Sequence, residues 1–158
     1  MKKIYTIYLF LFCFSFLKSF GQTDLKYIST LGSRGASSIG ILYRVVTDKA
    51  GNIFFSDIFN NRLVKLSADG TFIKQVFPGS AVLAIDTEGN IYIYNKKLVK
   101  YDNDLNIILS FGKPGFGDQE FDNPKNISID TLGNIFVSGN KEFIQKFDKN
   151  GQFLEKFV

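Results

Sequence analysis

Three stretches of the chain repeat one motif: Asp48-Lys49-Ala50-Gly51-Asn52-Ile53-Phe54, Asp86-Thr87-Glu88-Gly89-Asn90-Ile91-Tyr92 and Asp130-Thr131-Leu132-Gly133-Asn134-Ile135-Phe136. The second motif glycine follows the first by 38 residues (89 − 51), and the third follows the second by 44 (133 − 89). A strand-rich unit repeated about every 40 to 45 residues is typical of the blades of a β-propeller. The repeat therefore predicts an all-β chain built from one supersecondary unit.

Each motif lies in a unit that the sequence predicts to contain four strands. A third apolar segment, a tight turn and a final apolar segment follow the motif, all rich in Ile, Val, Phe and Tyr. The predicted units are residues 41–77, 82–111 and 125–157, and residues 25–31 resemble the last strand of a unit without its first three. We expect antiparallel four-stranded blades, about three in number plus one N-terminal strand, arranged as an incomplete ring.

The third unit carries the fullest version of a known pattern. A Gly-rich loop over residues 112–117 leads to Phe121 and Pro124, and then to Ile-Ser-Ile-Asp-Thr-Leu-Gly-Asn-Ile-Phe-Val. This string resembles the NHL repeats of β-propellers, and the resemblance extends over residues 25–158. The first unit lacks the Phe and Pro ahead of its strand, and the second has Leu105 in place of a turn Gly.

The resemblance implies a six-bladed type of propeller and a binding role. NHL-type propellers mostly present one face or a central funnel to proteins, peptides or glycans, so residues 22–158 are expected to form a non-catalytic module. Six-bladed relatives also include gluconolactonase-like hydrolases, which hold a divalent cation with Glu, Asn and Asp, and this activity is the alternative. That alternative needs carboxylates on the inner strands, which instead offer Arg44, Asn126 and Ser128.

Residues 1–21 predict a signal peptide helix. Two lysines precede an uncharged apolar run over residues 4–17, and Ser19 and Gly21 form a small-x-small end before Gln22. The apolar run is shorter than the roughly 20 residues that a membrane-spanning helix needs. We therefore expect cleavage, a secreted or periplasmic product and no membrane anchor afterwards. An uncleaved anchor is the alternative.

Charge and residue types restrict the chemistry of the mature chain. The chain has 19 basic and 15 acidic residues, and residues 1–21 contain three of the basic ones, which leaves 16 − 15 = +1. This balance predicts no binding of nucleic acid. The chain has no His, and its only cysteine, Cys13, lies in the predicted signal peptide after Phe12, where a lipoprotein signal needs a small residue. Ser-His-Asp catalysis and Cys- or His-based zinc sites are thereby excluded, and no cofactor is expected.

Turn chemistry explains the Asp-x-x-Gly-Asn element. Asp favours the first position of a type I turn because its side chain accepts from the N–H groups ahead of it, and Gly favours the fourth, where φ is often positive. A repeated acidic ligand site is the alternative interpretation. The residues assigned to structural turns are Asp48, Gly51, Asn52, Asp86, Gly89, Asn90, Asp130, Gly133 and Asn134.

Alternating strand directions divide the connections of a blade between two faces. The first-to-second and third-to-fourth turns share one face, here named the turn face. The second-to-third loops and the interblade loops share the other, the loop face, and binding residues concentrate on such longer loops. The candidate ligand-binding residues on the loop face are Asp57, Asn61, Arg62, Asn95, Lys97, Asn140 and Lys141. Alternatively, Asp57 caps its loop and pairs with Arg62.

The glycines of the third unit allow two interpretations. Gly112, Gly115 and Gly117 superficially resemble a phosphate-binding loop. Such a loop should open a helix, and here a strand led by Pro124 follows. We therefore interpret the segment as an interblade loop.

The chain is expected to be part of a larger propeller. Propellers close with four to eight blades, and the 137 mature residues (158 − 21) supply three blades and one strand. An open arc leaves apolar blade faces at its ends. Expressed alone, the chain is expected to aggregate or to unfold easily.

Overall fold

The computed structural model describes residues 40–78, 82–139 and 142–158. The predicted signal peptide and the strand at 25–31 lie outside these residues, as do Asn140 and Lys141. Within them every regular element is a β-strand, and no helix that could span a membrane is found there.

Twelve of the strands form three sheets, and in each sheet consecutive strands pair in antiparallel order. Sheet 1 contains β1 (Leu42–Thr47), β2 (Ile53–Asp57), β3 (Arg62–Leu66) and β4 (Phe72–Val76). Sheet 2 contains β5 (Leu83–Ile85), β6 (Ile91–Asn95), β7 (Lys97–Tyr101) and β8 (Ile107–Phe111). After a short parallel pair, β9 (Lys113–Pro114) with β10 (Glu120–Phe121), sheet 3 contains β11 (Asn126–Ile129), β12 (Ile135–Ser138), β13 (Ile144–Phe147) and β14 (Phe153–Phe157). The predicted all-β fold of four-stranded antiparallel blades is confirmed.

The first strands of the three sheets adjoin. Strand β5 contacts both β1 and β11, so sheet 2 stands between sheets 1 and 3. Successive side chains of a strand point to opposite faces of its sheet, and both faces of sheet 2 are accordingly apolar. Ile91 and Ile93 pack with Phe54 and Leu63 of sheet 1, whereas Tyr92 packs on the other face with residues of sheet 3. Full burial of one such side chain stabilises the fold by about 1.5–3 kcal/mol.

A lysine in the third strand of each sheet stands opposite an aromatic residue in the second strand. The register pairs are Phe54 with Lys65, Tyr92 with Lys100, and Phe136 with Lys146. The lysine Nζ atoms lie 5.5, 5.1 and 5.6 Å from the ring centroids, respectively. Contacts of this kind contribute about 0.5–2 kcal/mol each. The residues of this repeated pair align in all three units of the sequence.

Candidate functional site

Asp48 shows the turn geometry that the three motifs share. Its Oδ1 accepts hydrogen bonds from the N–H groups of Ala50 and Asn52, each at 2.9 Å, and its Oδ2 accepts one from Asn52 Nδ2 at 2.8 Å. Gly51, with φ of 84°, donates its N–H to the Asp48 carbonyl at 3.1 Å. Asp86 and Asp130 make the equivalent bonds in their own turns. Each carboxylate thus accepts hydrogen bonds from donors of its own turn.

Asp86 has partners beyond its own turn. The Tyr92 hydroxyl donates to Asp86 Oδ2 at 3.0 Å, and Lys100 Nζ lies 3.4 Å from the same oxygen. Burial acts to raise the pKa of Asp86, but the hydrogen bonds from Asn90 and Tyr92 and the charge of Lys100 outweigh it, and the pKa lies below its usual value. Burial, followed by the charge of Asp86, raises the pKa of Tyr92. The carboxylate is therefore charged at neutral pH and ties the turn to strands β6 and β7.

A cleft of about 350 Å³ lies on the turn face between the motifs of sheets 1 and 2, and Asp48, Asp86 and Glu88 are among its lining residues. Asn103 donates Nδ2 to Asp48 Oδ2 at 2.9 Å and to the Gly89 carbonyl at 3.3 Å. Over the described part of the chain, no group of three or more His, Cys, Asp or Glu side chains is placed to hold a metal ion. The cleft lies at the junction of sheets 1 and 2, where Asp48, Asn103 and the Gly89 carbonyl already form hydrogen bonds with one another.

On the loop face, Asp57 and Arg62 form a buried pair. Asp57 is 0% exposed and Arg62 is 2% exposed. Arg62 Nη2 lies 3.0 Å and Nε lies 3.1 Å from Asp57 Oδ2, and Asn60 and Gly40 also donate to this carboxylate. Burial acts to raise the pKa of Asp57, but these hydrogen bonds lower it overall. This geometry agrees with the alternative in which Asp57 pairs with Arg62, and ligand binding by these two residues stays a prediction.

Three further loop-face candidates, Asn61, Asn95 and Lys97, are exposed. Asn61 takes a left-handed backbone conformation, with φ of 51°, at the end of its loop. Asn95 and Lys97 flank the tight β6–β7 connection, in which Lys96 has φ of 56°. None of the three side chains has a recorded hydrogen bond or ion pair within the described ranges, and nothing joins them into one cluster. Asn140 and Lys141 lie outside those ranges and stay predictions.

The Gly-rich interblade loop is closed by its own glutamate. Glu120 Oε2 accepts hydrogen bonds from the N–H groups of Phe116 at 3.0 Å and Gly117 at 2.9 Å, and Glu120 Oε1 lies 3.1 Å from Lys113 Nζ. A Cβ atom at Gly115 would lie 2.1 Å from Glu120 Oε2, so the glycine permits this approach. The N–H groups that a phosphate-binding loop would offer to a ligand instead hold the carboxylate.

A contact between two inner strands lies near the loop face. Arg44 Nη2 of β1 donates to Asn126 Oδ1 of β11 at 2.5 Å. Since β5 stands between these strands, the Arg44 side chain passes the inner strand of sheet 2. The sequence places both residues on predicted inner strands but does not show that they pair. Their equivalence was visible, because each stands four residues before its motif aspartate (48 − 44 and 130 − 126).

Part of this chain is similar in sequence to known proteins. NHL repeat-containing protein 3 of Homo sapiens is 34% identical over 87 residues, which cover 49% of this chain and 25% of that protein. The chain resembles NHL-repeat proteins. The mouse protein of the same name matches to the same extent, and the predicted resemblance to this family is confirmed. No protein-family model matches the chain.

Solved structures share the fold. The streptogramin B lyase structure matches with a TM-score of 0.59 and 19% identity over 73% of this chain and 40% of that one. A catalytically inactive virginiamycin B lyase from Staphylococcus aureus, solved with quinupristin, matches with a TM-score of 0.58 and 17% identity, again over 73% and 40%. This NHL-like chain thus covers less than half the length of these structures. At such identities the likeness concerns the fold alone.

Proposed function

We propose that this chain is a non-catalytic binding module that works outside the cytoplasm and presents its loop face to a protein, peptide or glycan. The contrast between the two faces carries the proposal. Turn-face carboxylates bind donors of their own turns, whereas the side chains of Asn61, Asn95 and Lys97 are exposed and form no hydrogen bond or ion pair with the described part of the chain. Exposed polar groups on a rigid scaffold suit recognition, since little conformational entropy is lost on binding.

A hydrolytic role has less support. The gluconolactonase-like alternative needs carboxylates beside the inner strands, and β1, β5 and β11 contain no Asp or Glu. The lyases named above share only the fold with this chain, so their activity gives no reason to propose one here.

Lysines on opposite faces provide a matched test of the binding proposal. Lys97 is exposed on the loop face and Lys49 is exposed on the turn face. We expect Lys97→Glu to reduce retention of the purified chain on peptide or glycan arrays, while Lys49→Glu leaves retention unchanged. Bound ligands should be recovered with their masses unaltered. Equal effects of the two variants, or conversion of a ligand, would contradict the proposal.

Export is tested separately. We expect the mature chain to begin near Gln22, because the small-x-small end of residues 19–21 precedes it. N-terminal sequencing of the secreted or periplasmic product measures this directly. Recovery of a membrane-bound chain that still begins at Met1 would indicate an uncleaved anchor.

A further inference from the structure

One asparagine side chain joins sheet 1 to sheet 2. Asn103 lies in the third-to-fourth turn of sheet 2, and its Nδ2 group donates to Asp48 Oδ2 of sheet 1 at 2.9 Å. Its Oδ1 and its backbone carbonyl accept hydrogen bonds from Lys65 Nζ of sheet 1 at 2.7 and 2.8 Å. An amide side chain has both a donor and an acceptor group. A single asparagine can therefore bind the motif aspartate and the third-strand lysine of the neighbouring sheet together.

Sheet 2 has a different arrangement, in which its own residues bind one another. The Tyr92 hydroxyl donates to Asp86 Oδ2 at 3.0 Å, and Lys100 Nζ lies 3.4 Å from the same oxygen. Sheet 3, which covers this face of sheet 2, has Lys149 at the position aligned with Asn103. A lysine side chain has no acceptor, so it cannot replace the amide. The pairing of Asp86 with Tyr92 and Lys100 thus needs no asparagine from the covering sheet.

Sheet 3 repeats the residues of sheet 1 and not those of sheet 2. Phe136 stands where sheet 2 has its tyrosine, and no ion pair joins Asp130 to Lys146 in the described part of the chain. Lys146 Nζ lies 5.6 Å from the ring centroid of Phe136, much as Lys65 Nζ lies 5.5 Å from that of Phe54. Sheet 3 therefore has the aspartate, phenylalanine and lysine of the arrangement to which an asparagine binds in sheet 1.

The face of sheet 3 that carries this arrangement is accessible. Ile144 and Phe157 stand opposite each other in the β13–β14 register and are 42% and 41% exposed. Phe136 is only partly buried, whereas the aligned Phe54 is 0% exposed beneath sheet 2. The equivalent face of sheet 1 is the one that sheet 2 covers. The face of sheet 3 thus has the composition of an interface between sheets.

We propose that this face of sheet 3 binds a further NHL-type sheet whose third-to-fourth turn carries an asparagine at the position of Asn103. The amide of that asparagine donates to Asp130 Oδ2 and accepts from Lys146 Nζ. The aliphatic side chains of its second strand cover Ile144 and Phe157. The interface between sheets 1 and 2 supplies the precedent for each of these contacts.

No sheet of a second copy of this chain supplies such a turn on an available face. Sheets 1 and 3 have Ala68 and Lys149 at the aligned position, and neither side chain combines a donor with an acceptor. Sheet 2 has the asparagine, but both of its faces are covered within its own chain. The partner is therefore a sheet other than these three. Because it binds away from the loop face, its outcome does not bear on the function proposed above.

An extended chain tests the proposal with a sheet of known sequence. Residues 78–111, which include sheet 2 and its asparagine, are appended after Val158 of the full-length chain, at the spacing with which sheet 2 follows sheet 1. Acetic anhydride is the probe, and mass spectrometry gives the acetylation rate of each lysine. Lys146 should react at least tenfold more slowly in the extended chain than in the unaltered chain. Within the same samples, exposed Lys49 and buried Lys65 give the rates of an accessible and a covered lysine.

The asparagine of the appended copy is tested against a matched position. Asn103→Ala in that copy alone should raise the rate at Lys146 at least fivefold, whereas Ser110→Ala, which alters an exposed outer-strand residue of the copy, should stay within twofold. An unprotected Lys146 in the extended chain, or equal effects of the two variants, would overturn the proposal. Protection of Lys146 in the unaltered chain at rising concentration, together with the mass of a dimer, would assign the face to a second copy and overturn the choice of partner.

Phe136→Tyr separates the proposed contact from the folding of the appended sheet. It gives sheet 3 the tyrosine of sheet 2, whose hydroxyl binds the motif aspartate of its own sheet. In this background, Asn103→Ala in the appended copy should change the rate at Lys146 by less than twofold. An equally large effect in both backgrounds would mean that the alanine disturbs the folding of the appended sheet, and it would overturn the role given to the asparagine.

Discussion

One aligned apolar position in the third strand has different surroundings in sheets 1 and 3. Leu63 in sheet 1 and Leu98 in sheet 2 are both 0% exposed, whereas the aligned Ile144 in sheet 3 is 42% exposed. Sheet 2 covers Leu63, and sheet 3 covers Leu98. No described sheet covers Ile144. The neighbouring sheet, and not the hydrophobicity of the residue itself, decides whether this position contributes to a core.

The aligned lysines show the same difference in polar contacts. Lys65 is 5% exposed and donates to the carbonyl oxygen and to Oδ1 of Asn103 in sheet 2, at 2.8 and 2.7 Å. Lys146 has the equivalent ring contact with Phe136, but no hydrogen bond of its Nζ is recorded in the described ranges. Where a second sheet is adjacent, the lysine thus makes hydrogen bonds between blades in addition to its ring contact within one blade.

Core truncation should give the largest difference between the two sheets. Leu63→Ala should lower the free energy of unfolding by about 2–5 kcal/mol, because it leaves a cavity between two sheets. Ile144→Ala should cost about 1 kcal/mol or less, since the side chain is already partly in water. Urea unfolding followed by circular dichroism measures both. Equal losses would mean that another part of the chain covers Ile144.

The lysine positions should give the next largest difference. Lys65→Met keeps the aliphatic stem but removes both bonds to Asn103, and it should cost about 1–3 kcal/mol because buried acceptors lose their donor. Lys146→Met should cost about 0.5–1 kcal/mol, the value of a ring contact near the surface. The same unfolding experiment compares them. A loss at Lys146 as large as at Lys65 would contradict the role given to the bond between sheets.

The repeat made the fold predictable from sequence. Three in-phase Asp-x-x-Gly-Asn elements impose the same turn, and the apolar segments that follow can form only short strands between Gly and Asn. Side-chain surroundings were harder to predict. Asp57 and Arg62 lie in a polar loop, which suggested exposure, but the last residue of β2 and the first of β3 face each other in register and are covered together.

Two side-chain contacts escaped prediction for physical reasons. Arg44 and Asn126 are 82 residues apart, and only the spatial order of the inner strands brings them together. Glu120 closes the Gly-rich loop through a backbone path that glycine permits at Gly115, where φ is 150°. Spacing and residue type in the sequence do not determine the direction in which such side chains point.

The motif aspartates of sheets 2 and 3 should also differ in how strongly they make stability depend on pH. Burial acts to raise the pKa of Asp86, but hydrogen bonds and the charge of Lys100 lower it overall, and the hydrogen bond from Asn134 is the largest cause that lowers the pKa of Asp130. A lowered carboxyl pKa gives stability that is present above the unfolded-state pKa and is lost as pH falls through the folded-state value. Asp86→Asn should cost on the order of 1–2 kcal/mol at pH 7, because it weakens bonds to a charged acceptor. Asp130→Asn should cost less, since Phe136 stands where Tyr92 has its hydroxyl, and the charge of Lys146 is the smallest of the causes that lower the pKa of Asp130.

Acid titration of stability checks this difference. The difference in the free energy of unfolding between each variant and the unaltered chain should disappear as the pH falls below about 4. The difference that disappears should be larger for Asp86→Asn. A gap that stays constant with pH would show that the substitution acts through packing and not through the charge of the carboxylate.

The smallest expected change in stability comes from a charge placed on the exposed face of sheet 3. Ile144→Lys should alter the free energy of unfolding by about 0.5 kcal/mol or less, because the side chain can extend into water. It should nevertheless reduce concentration-dependent light scattering, since exposed apolar patches promote association, and Phe157 and Leu154 are 41% and 51% exposed on the neighbouring strand. Leu98→Lys is the matched control: the same charge at the aligned position of sheet 2 would lie inside a core and should prevent folding. If Ile144→Lys unfolds the chain as Leu98→Lys does, the face of sheet 3 is not exposed in solution, and the difference between the sheets does not hold.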